Sequence, residues 1–452
     1  MNRLMKMVAV SLLLAGCGEH MDGAYGGDYY GPSYDEASDP AAPIEDLEMA
    51  PEEAPETEPD EESGAAAGLL TAASWDDNAF YDHYLGYLES ADSSHERLPT
   101  DRIVIEVKDA DGRPLSDAMI SVALDEDGTQ AIALHTVADG RALFFPSADG
   151  QAEAYRVTVT TAEKTGEYLF FAEDSTWSVT METAQPAGQK TLDVAFVIDA
   201  TGSMGDEIEY LKREASWLIG EVKAAYPDLT VRMATVAYRD QGDAYVTRTN
   251  DFTTDETRFY AQLRDIQADG GGDYPEAMGE AMEAAVRLEW SESSALRLAF
   301  VLADAPPQLN RQASTAAAAR IARQKGIRIY PIGASGVGDD AEFVMRQMAQ
   351  HTLGRYLFLT DDSGIGNAHA EPHIPCYHVQ RLNDLMLEVI ESNLEGAWSA
   401  PAAEDIVRSV GFDEEGQCVS PSTAEPEPVV DDAADAADAE GVEAPGEPGV
   451  DR

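Results

Sequence analysis

The sequence predicts a doubly wound α/β domain over residues 190–396, preceded by a small all-β sandwich over 101–183 and flanked by acidic, disordered segments. Three observations carry this reading. After Leu192, short apolar runs alternate with stretches of helical spacing, the order that builds a mainly parallel sheet with right-handed crossovers. Between Asp101 and Thr183, alternating runs are cut by Asp-Gly turn signals. Lys and Arg are absent between Lys6 and Arg97 and between Arg408 and Arg452, where Glu, Asp, Pro, Gly and Ala accumulate.

At the N-terminus, Arg3 and Lys6 precede an apolar stretch, Met7 to Ala15, that is too short to cross a bilayer and has the pattern of a secretory signal. It ends in Leu14-Ala15-Gly16-Cys17, which resembles the lipobox of bacterial lipoproteins. The resemblance implies a signal peptide over 1–17, lipidation of Cys17 and a membrane anchor in the cell envelope. Gly18 rather than Asp after the cysteine is similar to the enterobacterial sorting pattern that implies the outer membrane. Residues 18–68 read as a disordered acidic tether with a root-mean-square reach of roughly 40 Å. Residues 69–100 bring Trp75, Phe80, Tyr84, Leu85 and Leu88 together, and Phe80, Tyr84 and Leu88 share one helical face. An aromatic helical segment docking on a folded domain is expected there.

The formal net charge is −55 over 452 residues. Such a chain repels nucleic acid and anionic headgroups and favours divalent cations or basic partners.

The β region contains the runs RIVIEVK, AMISVAL, RALFF, YRVTVTT, EYLFF and WSVTM, enough for a sandwich of six or seven strands. The pattern VKDADGRPLSDAMISV followed by VADGRALF resembles carboxypeptidase-regulatory-like and related immunoglobulin-like modules of envelope proteins. Its Asp-Gly pairs read as tight turns, since neither acidic segment has a full calcium-loop pattern.

The α/β region opens with LDVAFVIDATGSMG. Leu192 to Ile198 is an apolar strand covered on both faces, and Ile208, Leu211, Ala215, Leu218 and Val222 mark the helix after it. Strands are then expected at 229–238, 244–250 (an edge), 295–302, 327–332 and 355–359. Helices are expected at 255–266, 315–324 (ended by Gly326), 340–351 and 379–394. In this architecture ligands sit at the carboxyl ends of the strands, and Asp199 occupies one.

Asp199, Thr201 and Ser203 place a carboxylate and two hydroxyls at alternate positions of a strand-to-helix loop, an oxygen set suited to Mg²⁺, Mn²⁺ or Ca²⁺. They match the D-x-[ST]-x-S signature of von Willebrand factor type A (vWA) domains, a Rossmann-like fold whose metal-ion-dependent adhesion site (MIDAS) holds a divalent cation. Two later loops also match. Gly270-Gly271-Gly272-Asp273-Tyr274-Pro275-Glu276 takes the place of the second metal loop, with Asp273 where the family more often has Thr. Asp273 and Glu276 also read as a helix capping box. Asp304, in Ala303-Asp304-Ala305-Pro306-Pro307, matches the final metal-associated Asp. The resemblance thus implies a cation, Mg²⁺ first, at Asp199, Thr201, Ser203, Asp273 and Asp304. The extra acid strengthens cation binding and weakens the metal's pull on an acidic ligand. Arg239 and Asp240 end the second strand on the same rim, where Arg239 either contacts a ligand or pairs with an acid.

Cys376 and Cys418 remain after Cys17, and in an exported protein they are expected to form one disulfide. A rival reading groups His369, Glu371, His373, Cys376 and His378 as a zinc cluster, without clean ligand spacing. Residues 397–452 read as a disordered acidic tail.

The expected function is metal-dependent binding of a protein partner by a lipid-anchored envelope protein, with no small-molecule substrate. The alternative is a structural role in envelope assembly in which the metal only stabilises the fold. No G-x-S-x-G elbow, P-loop or HExxH motif is present, so no enzyme is expected.

Overall fold

The computed structural model describes residues 67–183, 190–413 and 417–418. The expected signal peptide, Cys17, nearly all of the expected tether and the end of the expected tail lie outside them. Among the described residues no helix is long and apolar enough to cross a membrane.

In chain order the structure begins with β1 (Thr71–Trp75) and α1 (Tyr81–Ser90). Then come β2 (Ile103–Lys108), β3 (Met119–Leu124), β4 (Gln130–His135), β5 (Arg141–Phe144), the single turn α2 (Pro146–Asp149), β6 (Ala154–Thr160), β7 (Thr165–Phe171) and β8 (Thr176–Thr180). These strands form two sheets, β5-β2-β8 and β4-β3-β6-β7. Alternating residues such as Ile103, Ile105, Ile120, Val122, Val157 and Val159 fill the space between them. Trp177 sits at the centre, its ring 5.5 Å from Phe144 and 5.3 Å from both Tyr155 and Phe170.

The α/β region runs β9 (Thr191–Asp199), α3 (Ile208–Ala225), β10 (Thr230–Tyr238), β11 (Thr247–Thr253), α4 (Glu256–Arg264), α5 (Met278–Val286), β12 (Ala295–Ala303), α6 (Gln312–Lys325), β13 (Ile327–Gly333), α7 (Asp339–His351), β14 (Tyr356–Thr360), β15 (Tyr377–Arg381), α8 (Leu382–Glu395) and β16 (Arg408–Val410). The sheet order is β11-β10-β9-β12-β13-β14-β1-β15-β16. Strands β10, β9, β12, β13 and β14 pair in parallel, and β11 closes one edge antiparallel. Both faces of β9 are covered, which explains its continuous apolar run. Val194, Phe196 and Ile198 pack under α3, α4 and α8, while Ala195 and Val197 face α5, α6 and α7.

Three boundaries differ from expectation. The segment expected to be a docked helix is half strand: β1 inserts antiparallel between β14 and β15. Its Ala-Ala-Ser centre has little intrinsic β-propensity, and the slot between two strands imposes the conformation. Tyr84 and Leu88 of α1 are buried, but Phe80 is exposed and stacks on Trp75 at 4.4 Å. The helix expected from Val379 starts at Leu382, because Tyr377–Arg381 is needed to cover β1. Finally, the tail expected to be disordered returns to the domain: β16 pairs with β15, and Cys418 is bonded to Cys376.

The sandwich packs directly on the α/β domain. Asp149 receives two hydrogen bonds from Arg323, at 2.9 and 3.1 Å, and one from Arg320 at 3.1 Å. Arg297 reaches Asp117 at 2.9 Å. Phe145 stacks on His351 at 4.3 Å, and burial pushes that imidazole down to about 3, so it is neutral.

Candidate functional site

The first strand of the α/β region, β9, has β10 on one side and β12 on the other, so the winding reverses there and opens a crevice at the carboxyl edge. Asp199 ends β9 in register with Tyr238 at the end of β10, and Asp304 follows directly on β12. Sheet pairing alone therefore delivers two carboxylates to one spot. Asp199 is fully buried and Asp304 is 3% exposed.

Beyond Asp199 the chain turns back on itself. Asp199 Oδ1 accepts from the Thr201 amide at 3.0 Å and from Thr201 Oγ1 at 2.7 Å, and Thr201 Oγ1 lies 3.1 Å from Ser203 Oγ. Asp199 Oδ2 is buried without a hydrogen-bond partner, although the Tyr238 hydroxyl faces the same carboxyl group. Burial, followed by the charge of Asp304, pushes Asp199 up to about 7.

The glycine loop lies against these residues. Gly202 donates to the Gly270 carbonyl at 3.1 Å, and the Gly271 amide donates to Asp243 at 2.9 Å. Both Gly270 and Gly271 have positive φ, at 80° and 73°. A Cβ on Gly271 would stand 2.8 Å from Glu276 Oε1 and 3.2 Å from Thr201 Cβ, so only glycine permits this approach.

Of the two acids in this loop, Glu276 points inward. Its amide donates to the Pro306 carbonyl at 2.9 Å and it bridges to Pro307, which turns its side chain under the loop. Glu276 is 4% exposed with Oε2 lacking a partner. Burial, then Asp199, Asp240, Asp304 and Asp243, push it up to about 9. Asp273, expected among the ligands, is exposed and lines the cleft together with Thr201, Ser203 and Asp304. It makes no cap, since α5 begins at Met278 with no side-chain cap.

Arg239 takes the second of its two expected roles, an ion pair with an acid, and Asp240 stands behind the rim rather than on it. Both are buried and act as braces. Arg239 binds Asp269 at 3.2 Å and the Gln267 carbonyl at 2.9 Å, while Asp240 accepts from Gln308 at 2.6 Å. The result is a cleft of about 660 Å³ lined by Thr201, Ser203, Asp273, Tyr274, Asp304 and Asn367, among others.

The residues of the zinc reading diverge. His373 pairs with Glu342, His378 with Ser409, and Cys376 is in the disulfide. His369 has a role at the cleft that its sequence context did not signal. Its Nε2 lies 2.8 Å from Glu207 and its Nδ1 2.8 Å from Asp361. Glu207 is fully buried and also accepts from the Ser335 amide at 3.1 Å. One carboxylate thus ties the start of α3 to the loops that carry Ser335 and Asn367. Burial alone lowers the His369 pKa, but the bonds to Glu207 and Asp361 outweigh it and raise the pKa above 6.5. A histidine raised in the folded state contributes stability below its unfolded pKa and loses it as pH rises through the folded one. Hydrogen exchange of 364–376, corrected for intrinsic rate, should therefore accelerate above that point and be fast at all pH in His369→Ala. An NMR-titrated pKa for His369 at or below 6.5 would contradict this.

All donors at the cleft floor are oxygens, the chemistry of a hard cation, and Asp199 Oδ2 is a buried acceptor in need of one. Among the described residues no three or more His, Cys, Asp or Glu side chains are grouped to hold a metal ion. The hydroxyls of Thr201 and Ser203 would therefore have to complete the set.

Residues 193–367 match the family described as von Willebrand factor A domain. Human von Willebrand factor A domain-containing protein 7 is 37% identical over 116 residues, covering 25% of this chain and 12% of that protein. The alpha-protein kinase vwkA of Dictyostelium discoideum is 30% identical over 117 residues, covering 25% of this chain and 18% of that protein. The alignments thus span less than a fifth of either relative. Among solved structures, the conserved hypothetical protein BatB from Bacteroides thetaiotaomicron is 16% identical, covering 45% of this chain and 99% of that chain, with a TM-score of 0.33.

Proposed function

From a chain that carries a von Willebrand factor A domain over residues 193–367, we propose metal-dependent binding of a protein partner at the carboxyl edge of the sheet. Asp199, Thr201, Ser203 and Asp304 would hold a divalent cation, Mg²⁺ foremost, with Glu276 as the acid of the second loop and Asp273 on the wall above it. The observation that carries this reading is the buried, unpartnered Asp199 Oδ2 beside a second buried carboxylate and two hydroxyls. The cation would supply an open coordination position for an oxygen ligand of the partner. The chain's own groups then have distinct tasks. Asp199 fixes the Thr201 hydroxyl, Thr201 aligns Ser203, and Glu276 and Asp304 neutralise the charge. With three acids close by, the cation keeps little positive charge for a partner carboxylate, which favours a neutral or mixed oxygen ligand. The reading is of a binding module without catalysis, anchored to the bacterial outer membrane through lipidated Cys17.

Capture from envelope extract by the immobilised full chain tests the role. A partner retained in Mg²⁺, released by chelator and missed by Ser203→Ala is expected. Undiminished capture in chelator would assign the cation to fold stability alone.

A further inference from the structure

At the junction of the β-sandwich and the α/β domain lies a pocket of about 270 Å³ walled by Arg141, Arg328 and Arg355, with Trp398 beside them. In a chain with 85 acidic and 30 basic side chains, three guanidiniums converging on one pocket reverse the prevailing charge. Only two carboxylates, Asp76 and Asp139, share the lining. Asp139 is taken by Arg141 at 2.8 Å and by Arg328, whose Nη1 donates to Asn393 at 2.9 Å. Arg355 is held loosely, at 3.3 Å from Asp76 and 3.4 Å from the Ser74 hydroxyl, with its guanidinium 3.8 Å above the Trp398 ring.

Donors therefore outnumber acceptors, and two of them are left over. Arg328 Nε and Ser392 Oγ are buried with no hydrogen-bond partner, on residues only 8% and 7% exposed. Unmade bonds of this kind are costly in a protein interior, and guanidiniums match oxyanions through paired N–H groups.

We propose that this pocket binds a small oxyanion, a phosphate or a carboxylate, between Arg328, Arg355 and Ser392. The anion would satisfy the spare donors and link β5 and its preceding turn, which supply Arg141 and Asp139, to β13 and α8, which supply Arg328 and Ser392. Binding would tighten the junction of the two domains, at a site separate from the cation cleft.

The test uses the full chain in chelator, so that no anion is held through a cation at Asp199. Inorganic phosphate and, separately, succinate are titrated calorimetrically at constant ionic strength set with chloride. Saturable binding of at least one of them is expected, with a rise in melting temperature that grows with its concentration. Arg355→Gln and Ser392→Ala, which leave the Arg328–Asp139 pair intact, should each weaken it about tenfold. Binding of phosphate alone identifies a tetrahedral anion, and binding of succinate identifies a carboxylate. Absence of saturable heat for both anions, or undiminished binding in both variants, overturns the proposal.

Discussion

Arg346→Met should destabilise the α/β domain by about 3–5 kcal/mol, because removing one partner of a buried ion pair strands the others. Arg346 is fully buried. It binds Asp77 through Nε at 2.9 Å and Nη2 at 2.7 Å, Glu342 at 3.0 Å and the His373 carbonyl at 2.9 Å, and its guanidinium lies 3.7 Å above the Tyr87 ring. Asp77 also accepts from the Trp75 indole at 3.0 Å. This one side chain joins β1, α1, α7 and the loop before β15. Burial already raises the Asp77 pKa despite the opposing arginine, so without Arg346 that carboxyl group is unsupported. Denaturant unfolding followed by tryptophan fluorescence measures the loss, and proteolysis should open first at 71–90. The double change Asp77→Asn with Arg346→Met should recover part of it. A loss below about 1 kcal/mol, the range of an exposed pair, would mean that β1 is held by its strand pairing alone.

Asp199→Asn should have the opposite sign in the metal-free protein. An acid whose folded pKa is raised stabilises least when it must ionise: stability falls as pH rises from the unfolded value through the folded one. For Asp199 that window runs from 3.8 to about 7, and for Glu276 from 4.5 to about 9. Metal-free protein should therefore lose stability across this range. Asp199→Asn, with no charge to bury beside Asp304, should be more stable by about 1–3 kcal/mol near pH 8. It should also lose any stabilisation by Mg²⁺. Melting curves in chelator and in Mg²⁺ across pH give both quantities. A variant less stable than wild type at every pH in chelator would show that Asp199 is not strained by its burial.

The main lines of the fold were legible because the signals are local and strong. LDVAFVIDATGSMG states a buried strand, its end and the start of a helix within one window, and Asp304 falls in register because β12 pairs with β9. What could not be read depends on contacts made across the chain. Thr71–Trp75 is a strand only because β14 and β15 leave a slot for it. The two acids of GGGDYPE cannot be ranked by type or spacing. Glu276 goes inward because its backbone bridges to Pro307, a pairing between distant loops. His369 looked like a metal ligand by company, with His373 and Cys376 nearby in sequence. In three dimensions those neighbours diverge, and two carboxylates from separate elements claim it. Arg239 forms the ion pair that is the more common fate of an arginine beside rim acids, here with Asp269.

Calorimetric titration of Mg²⁺, Mn²⁺ and Ca²⁺ into the metal-free full chain and into its Asp199→Ala variant measures the cation site itself. One saturable site is expected in the wild type, strengthening from about pH 6 to about pH 8 as the carboxyl protons are released, and no such site in the variant. Identical, negligible heats for both proteins would contradict this.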